Sequence, residues 1–132
     1  MKRIRVSAAV IHKDGKIFAT QRGYGEYKGK WEFPGGKREE GESGEEALKR
    51  EIKEELDSTI IIEKLICTTE YDYPSFHLTM DVYLATLLEG KLTLLEHEDA
   101  QWVSLDSIDT LDWLGADWSV IEEIKKHFSD SL

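Results

Sequence analysis

Cysteine is almost absent from this chain. Cys67 stands alone among 132 residues, so no intrachain disulfide can staple the fold. Its place in an apolar, strand-like run suits a buried structural thiol. Proline is scarce as well, and Pro34 and Pro74 both fall where the chain turns. Basic charge is in deficit: 17 Lys and Arg against 27 Asp and Glu leave a net charge of −10. That balance argues against the basic face a nucleic-acid polymer needs. It does not exclude a nucleotide, whose phosphates a metal ion can neutralise. No apolar run approaches transmembrane length, and the stretch after the basic start is too short for a secretory signal. A cytoplasmic protein without a membrane partner is therefore expected. The histidines at 12, 77, 97 and 127 have no zinc-like spacing, and His97 reads as a surface residue, with polarisation of the adjacent Glu96 as the alternative. With no repeat, low-complexity tract or linker, residues 1–132 are expected to form one domain. Oligomeric state is not legible.

What the chain does have is one stretch with carboxylates in an awkward place. Gly35 to Asp57 reads GGKREEGESGEEALKREIKEELD. Ser43 and Glu46 make a capping box, and a helix follows. At about 100° per residue, Leu48, Ile52 and Leu56 form an apolar stripe. Glu51, Glu54 and Glu55 form a second stripe at its margin, while Lys49 and Lys53 take the solvent pole. Clustered like charges repel, and the helix C-terminus already disfavours anions. A divalent cation held by their oxygens would offset this. The bland reading is a solvated acidic helix, since glutamate is a good helix former.

Around this helix the chain reads as strands. Arg3 to His12 alternates and then runs apolar, Asp14-Gly15 is a hairpin signal, and Ile17 to Gln21 returns. Gly23 to Lys30 reads as a mobile loop. Trp31 and Phe33 lead into a glycine turn at Gly35-Gly36, where the backbone can approach a ligand. Thr59 to Ile62 and Leu65 to Tyr73 read as two strand pieces, and Phe76 to Leu88 as their returning partner. Leu92 to Leu95 is a short apolar piece and Gln101 to Val103 a short strand. Ser104 is expected to cap a short helix to Leu111. Asp117 to Phe128 is an amphipathic helix. Several strands with one internal and one terminal helix suggest a mixed sheet with helices on its faces.

The spacing within the acidic stretch carries more. Gly36, Glu42 six positions on, then Arg50-Glu51-Ile52-Lys53-Glu54-Glu55 resembles the signature of the Nudix hydrolase superfamily. Every charged position matches. Asp57 and Ser58 stand where the pattern has glycine and an aliphatic residue, at the helix exit. The resemblance implies an α/β class Nudix fold, an α/β/α sandwich around a mixed β-sheet. The chain is similar to the MutT-like branch on four further grounds. These are Arg22 at the end of the second strand, Phe33-Pro34-Gly35-Gly36, Glu96 six residues before Trp102, and Ala116-Asp117 at the last helix. The implied reaction is hydrolysis of a nucleoside triphosphate to a monophosphate and pyrophosphate, with Mg2+ as cofactor; whether Mn2+ substitutes is not legible. The implied oxygens come from Glu51, Glu54, Glu55, Glu96 and the Gly35 carbonyl. Either Glu51 or Glu96 would be the base, Arg50 would orient Glu42, and Arg22 would meet a phosphate.

The base is read from other positions. Phe33, Tyr73 and Phe76 are candidates to meet the nucleotide, Phe76 by stacking, although cross-strand packing also accounts for Tyr73 and Phe76. An ionised Asp117 can only accept hydrogen bonds, which suits an exocyclic amino group such as that of cytosine. Its ordinary alternative is a helix N-cap. The chain thus resembles CTP pyrophosphohydrolases, with 8-oxo-dGTP diphosphatases as the alternative. ADP-ribose or sugar-nucleotide hydrolysis and a non-catalytic nucleotide sensor are more distant readings.

Overall fold

A computed structural model describes residues 2–130. The first strand, β1 (Lys2–Lys13), turns through Asp14 and Gly15, whose φ angles are 51° and 78°. Positive φ at both central residues is what a tight hairpin of right-handed strands requires, and β2 (Lys16–Gln21) returns from it. Two short strands follow, β3 (Trp31–Glu32) and β4 (Gly35–Lys37). Helix α1 (Gly44–Leu56) precedes the long hairpin of β5 (Thr59–Tyr73) and β6 (Phe76–Glu89). Strand β7 (Asp99–Ser104) and helix α2 (Gly115–Asp130) complete the chain.

The sheet runs β3-β2-β1-β6-β5, with β4 paired to β1 and β7 to β2. It is mixed because β1 and β6 are parallel. Alternation sends successive side chains to opposite faces. Ala9 and Ile11 meet Leu48, Ile52 and Leu56 of α1 on one face. Ala8 and Val10 join Val120, Ile121 and Ile124 of α2 on the other. With a helix on each face, the chain has the α/β/α sandwich expected of it. Leu48, Ile52 and Leu56 are fully buried, each worth about 1.5–3 kcal/mol relative to exposure. Among the described residues, no helix is long and apolar enough to cross a membrane.

Several local expectations are corrected. Gly35-Gly36 is not a turn but strand β4, because it finds backbone partners in Ser7 and Ala8 of β1. The two strand pieces at 59–73 are one strand, with register shifts between Ile62 and Lys64 and between Leu65 and Cys67. Such bulges absorb the residues that break alternation. Cys67 is half-buried rather than buried. The segment from Ser104 forms a turn and then a short 3-10 helix over Ile108–Thr110, because the Ser104 hydroxyl bonds to that of Ser107 instead of capping a longer helix. Helix α2 begins two residues before Asp117, which places Asp117 inside the first turn and not at the N-cap.

The two departures at the exit of α1 have distinct accounts. Asp57 takes the left-handed conformation at φ 47° and ψ 45°, the geometry that favours glycine. Asp57→Gly is expected to stabilise the protein by about 0.5–1 kcal/mol, read as a raised midpoint in urea. Ser58 is buried because its hydroxyl has work to do there. It donates to Leu56 O at 2.9 Å and accepts from Leu92 N–H at 2.9 Å.

Candidate active site

The last carbonyls of a helix lack intrahelical partners, and here the chain between β6 and β7 supplies them. Leu95 N–H donates to Glu55 O at 3.1 Å and Thr93 N–H to Leu56 O at 2.9 Å. This explains why Leu92 to Leu95 is apolar without being a strand. On the other side, Glu98 N–H donates to Gln21 O at 3.0 Å. Glu96 and His97 are therefore held between the end of α1 and the end of β2. Gly23 packs so closely here that a Cβ would stand 3.1 Å from Glu98 N and 3.4 Å from Glu96 O.

These elements border a cleft of about 700 Å³. One group of lining residues is polar: Glu51, Glu55, Glu96 and His97, with Arg22 and Glu32. The other is aromatic and apolar: Tyr73, Phe76, Leu78, Met80 and Leu114, with Asp117. Gly35 and Gly36 lie along the same wall. Glycine is needed at 36 because a Cβ there would run into the carboxylate of Glu51. At 35 it would run into the Ser7 carbonyl of β1. Gly36→Ala should therefore leave the fold intact and swing Glu51 aside. We expect a turnover loss of about 100-fold, on the scale of a misplaced reacting group, with a melting temperature that changes little.

Arg50 organises the outer rim. Its Nε and Nη2 donate to the two oxygens of Glu42 at 2.8 and 3.0 Å, and Nη2 also reaches Lys37 O. Nη1 donates to Glu51 at 2.9 Å and to Glu54 at 3.2 Å. The Glu42 bond, then that of Glu51, raises the Arg50 pKa further. Glu54 is the exception among the helix carboxylates. Its side chain is 57% exposed and it does not line the cleft, because Arg50 draws it along the helix surface one turn away.

Glu55 is the opposite case. Burial first, then the adjacent Glu51 and the charges of Glu96 and Glu32, push its carboxyl up to about 9. Its Oε2 is buried without a hydrogen-bond partner. An unpartnered oxygen among carboxylates fits a hard divalent cation in both charge and donor type. Among the described residues, no three His, Cys, Asp or Glu side chains are grouped so that they could hold an ion by themselves. An ion would complete its shell with phosphate and water, as Mg2+ ordinarily does.

Arg22 follows β2 directly. It forks onto Glu32, with Nε to Oε2 at 2.8 Å and Nη2 to Oε1 at 2.9 Å, which leaves other guanidinium N–H groups for a ligand. Phe33 is a core residue, stacked on Trp113 with centroids 4.5 Å apart. Its backbone N–H donates to Asp117 Oδ1 at 3.3 Å. Tyr73 and Phe76 oppose each other across the hairpin and stack at 4.9 Å, so packing and cleft lining hold together. The Tyr73 hydroxyl accepts from Ala116 N–H at 3.0 Å. Burial pushes its pKa to about 12, so it stays neutral.

Asp117 is buried, and burial followed by the charge of Glu32 holds its pKa well above the carboxylate range. The Phe33 N–H and Arg22 pull it back only in part. The carboxyl thus holds its proton more tightly than an ordinary one, and in its protonated form it donates as well as accepts, whereas the ionised form only accepts. His97 is a correction. Its side chain is only 9% exposed and it faces the cleft, so it is no surface residue. Burial pushes its pKa down. Glu32 and His97 were missed as lining residues. Adjacency to Phe33 and to Glu96 was the only signal, and adjacency does not say which way a side chain points.

Comparison with known proteins agrees with this arrangement. Residues 1–124 match the NUDIX domain model. The chain is 33% identical to an 8-oxo-dGTP diphosphatase of Escherichia coli K12, over 96% of this chain and 99% of that protein. It is 34% identical to a CTP pyrophosphohydrolase of the same organism, over 79% and 78%. The crystal structure of a MutT NUDIX hydrolase from Burkholderia pseudomallei superposes with a TM-score of 0.83 at 29% identity, covering 94% of this chain and 99% of that one. The charged signature on α1, the sandwich that carries it and these matches agree, and the chain is a Nudix hydrolase, a nucleotide pyrophosphohydrolase of MutT-like structure.

Proposed function

We propose that this chain acts as a single domain that hydrolyses a nucleoside triphosphate to the monophosphate and pyrophosphate with Mg2+, and that the preferred base is cytosine. Nudix hydrolases use divalent metal ions. The ion neutralises phosphate charge and favours attack by water. Glu51, Glu55 and Glu96 with the Gly35 carbonyl would hold it. Glu54 joins them by resemblance once it turns from Arg50. Arg50 fixes Glu51 and Glu42, and Arg22, steadied by Glu32, meets a phosphate. Because Glu51 already accepts from Arg50, we assign Glu96 to take the proton from the attacking water.

The observation that carries the base assignment is Asp117. Phe33 N–H fixes Oδ1 as an acceptor, so a proton on the carboxyl sits on Oδ2. The group then offers an acceptor beside a donor. Cytosine presents the complement, an amino donor at N4 beside the N3 acceptor, with Phe76 available for stacking. A second reading is 8-oxo-dGTP, supported by the same edge. Oxidation places a hydrogen on N7 beside the O6 acceptor, whereas guanine shows two acceptors. Relatives named 8-oxo-dGTP diphosphatase also favour it.

The test is pyrophosphate release from CTP, dCTP, UTP, dGTP, 8-oxo-dGTP and ADP-ribose with and without Mg2+. We expect metal-dependent turnover with cytidine nucleotides ahead of the rest. Preference for 8-oxo-dGTP would select the second reading. Faster cleavage of ADP-ribose than of any triphosphate would sink both. Tight binding without turnover would make the protein a sensor.

A further inference from the structure

We propose that Tyr24 is a substrate-binding residue of this cleft, its phenol O–H donating to a triphosphate oxygen beside Arg22. The assignment rests on the reading that the cleft takes a nucleoside triphosphate.

Three observations carry it. Of the exposed large apolar side chains among the described residues, Tyr24 alone lines the cleft, and it is 65% exposed. Its hydroxyl bonds to no described residue, whereas that of Tyr73 is taken by Ala116 N–H. The phenol also stands within electrostatic reach of Arg22. The Glu32 bond comes first among the influences that raise the Arg22 pKa, and the Tyr24 phenol is a lesser one of the same sign.

The backbone fixes this placement. Arg22 N–H donates to Lys30 O and Gly29 N–H to Arg22 O, both at 2.9 Å, which ties the ends of the 22–30 loop together. Gln21 Nε2 adds a bond to Gly29 O at 3.1 Å. Gly23 lies against the backbone of Glu96 and Glu98, so closely that a side chain there would crowd it. Further along the loop, Tyr27 packs on Tyr73 with ring centroids 5.5 Å apart. The loop therefore meets the carboxylate end of the cleft through Gly23 and the aromatic end through Tyr27. Tyr24 follows Gly23 directly and falls at the carboxylate end, where the phosphates have to lie. A phenol O–H donates, and a bond to a charged phosphate oxygen is stronger than one between neutral groups. Such a bond adds grip on the triphosphate and is indifferent to the base.

The test is steady-state kinetics of the full chain with Mg2+, comparing the unaltered protein with Tyr24→Phe and Tyr24→Ala. The substrates are CTP and 8-oxo-dGTP, and inorganic pyrophosphate serves as a competitor without a base. Tyr24→Phe should raise KM for both nucleotides and the inhibition constant of pyrophosphate by about ten-fold, the scale of one hydrogen bond to a charged group. The loss should fall on KM rather than kcat, and Tyr24→Ala should lose at least as much. Phenylalanine keeps the ring, so a role in packing the loop would leave Tyr24→Phe like the unaltered protein. An unchanged KM in Tyr24→Phe overturns the role of the hydroxyl. A loss seen with one nucleotide only, or with the nucleotides and not with pyrophosphate, places Tyr24 on the base and overturns the assignment to phosphate. Each of these results leaves triphosphate hydrolysis standing. An unaltered protein that turns over no nucleoside triphosphate overturns both readings.

Discussion

Glu55→Gln is expected to lower turnover by about 1,000-fold or more, the scale on which charged stabilisation of a reaction acts. The same change should make the metal-free protein less sensitive to alkaline pH. Both effects have one cause. Glu55 is half-buried beside Glu51, Glu96 and Glu32, and its pKa is pushed from 4.5 to about 9. Near neutral pH the metal-free folded state therefore holds a proton that the unfolded chain releases. A group whose folded pKa is raised stabilises fully below its unfolded value and loses that contribution as pH rises through the folded one. The window here runs from about pH 4.5 to about pH 9. Glutamine imitates the protonated acid and cannot ionise. In chelator, melting temperatures of the unaltered protein should fall across this window, and those of Glu55→Gln should fall less. Added Mg2+ should raise the melting temperature of the unaltered protein most at high pH, where no proton has to be displaced. The variant should barely respond. Matching pH profiles, or retained turnover, would contradict the assignment of Glu55.

The second large effect is at Asp117. Asp117→Ala should lower kcat/KM for the preferred nucleotide by about 100-fold or more, since it leaves the base edge and the Phe33 N–H without partners. Asp117→Asn should cost only a few-fold. With Oδ1 held by Phe33 N–H, an amide presents the same acceptor beside a donor as the neutral acid does. The comparison separates two readings of the site. If Asp117 works ionised, the asparagine variant loses as much as the alanine variant. If it works neutral, asparagine substitutes and alanine does not. Steady-state kinetics of both variants on CTP and 8-oxo-dGTP measure this directly, and circular dichroism checks that each remains folded.

Most of the fold was legible because its signals are local. The capping box at Ser43, the apolar stripe of α1 and the Asp14-Gly15 hairpin each depend on residues within one or two turns of chain. The misreadings share a cause too. Gly35-Gly36 became a strand through pairing with β1, where Gly35 meets Ala8, 27 residues away, and Gly36 meets Ser7, 29 residues away. The two pieces at 59–73 became one strand because β6 tolerates bulges opposite it. Long-range pairing overrides local preference in strands more than in helices.

The site divides in the same way. Sequence alone determined the carboxylate-rich helix and the arginine within it, because capping and helical spacing are local, while its resemblance to the Nudix signature implied the further glutamate before Trp102 and the class of reaction. Tertiary structure decided which of those groups share a cleft. It set Glu54 on the outer surface beside Arg50, brought Glu55 and His97 to 3.6 Å, and buried Asp117 so that its proton is held more tightly. Proton affinity follows from desolvation and from the distance between charges, and neither exists until elements far apart in the chain have packed together.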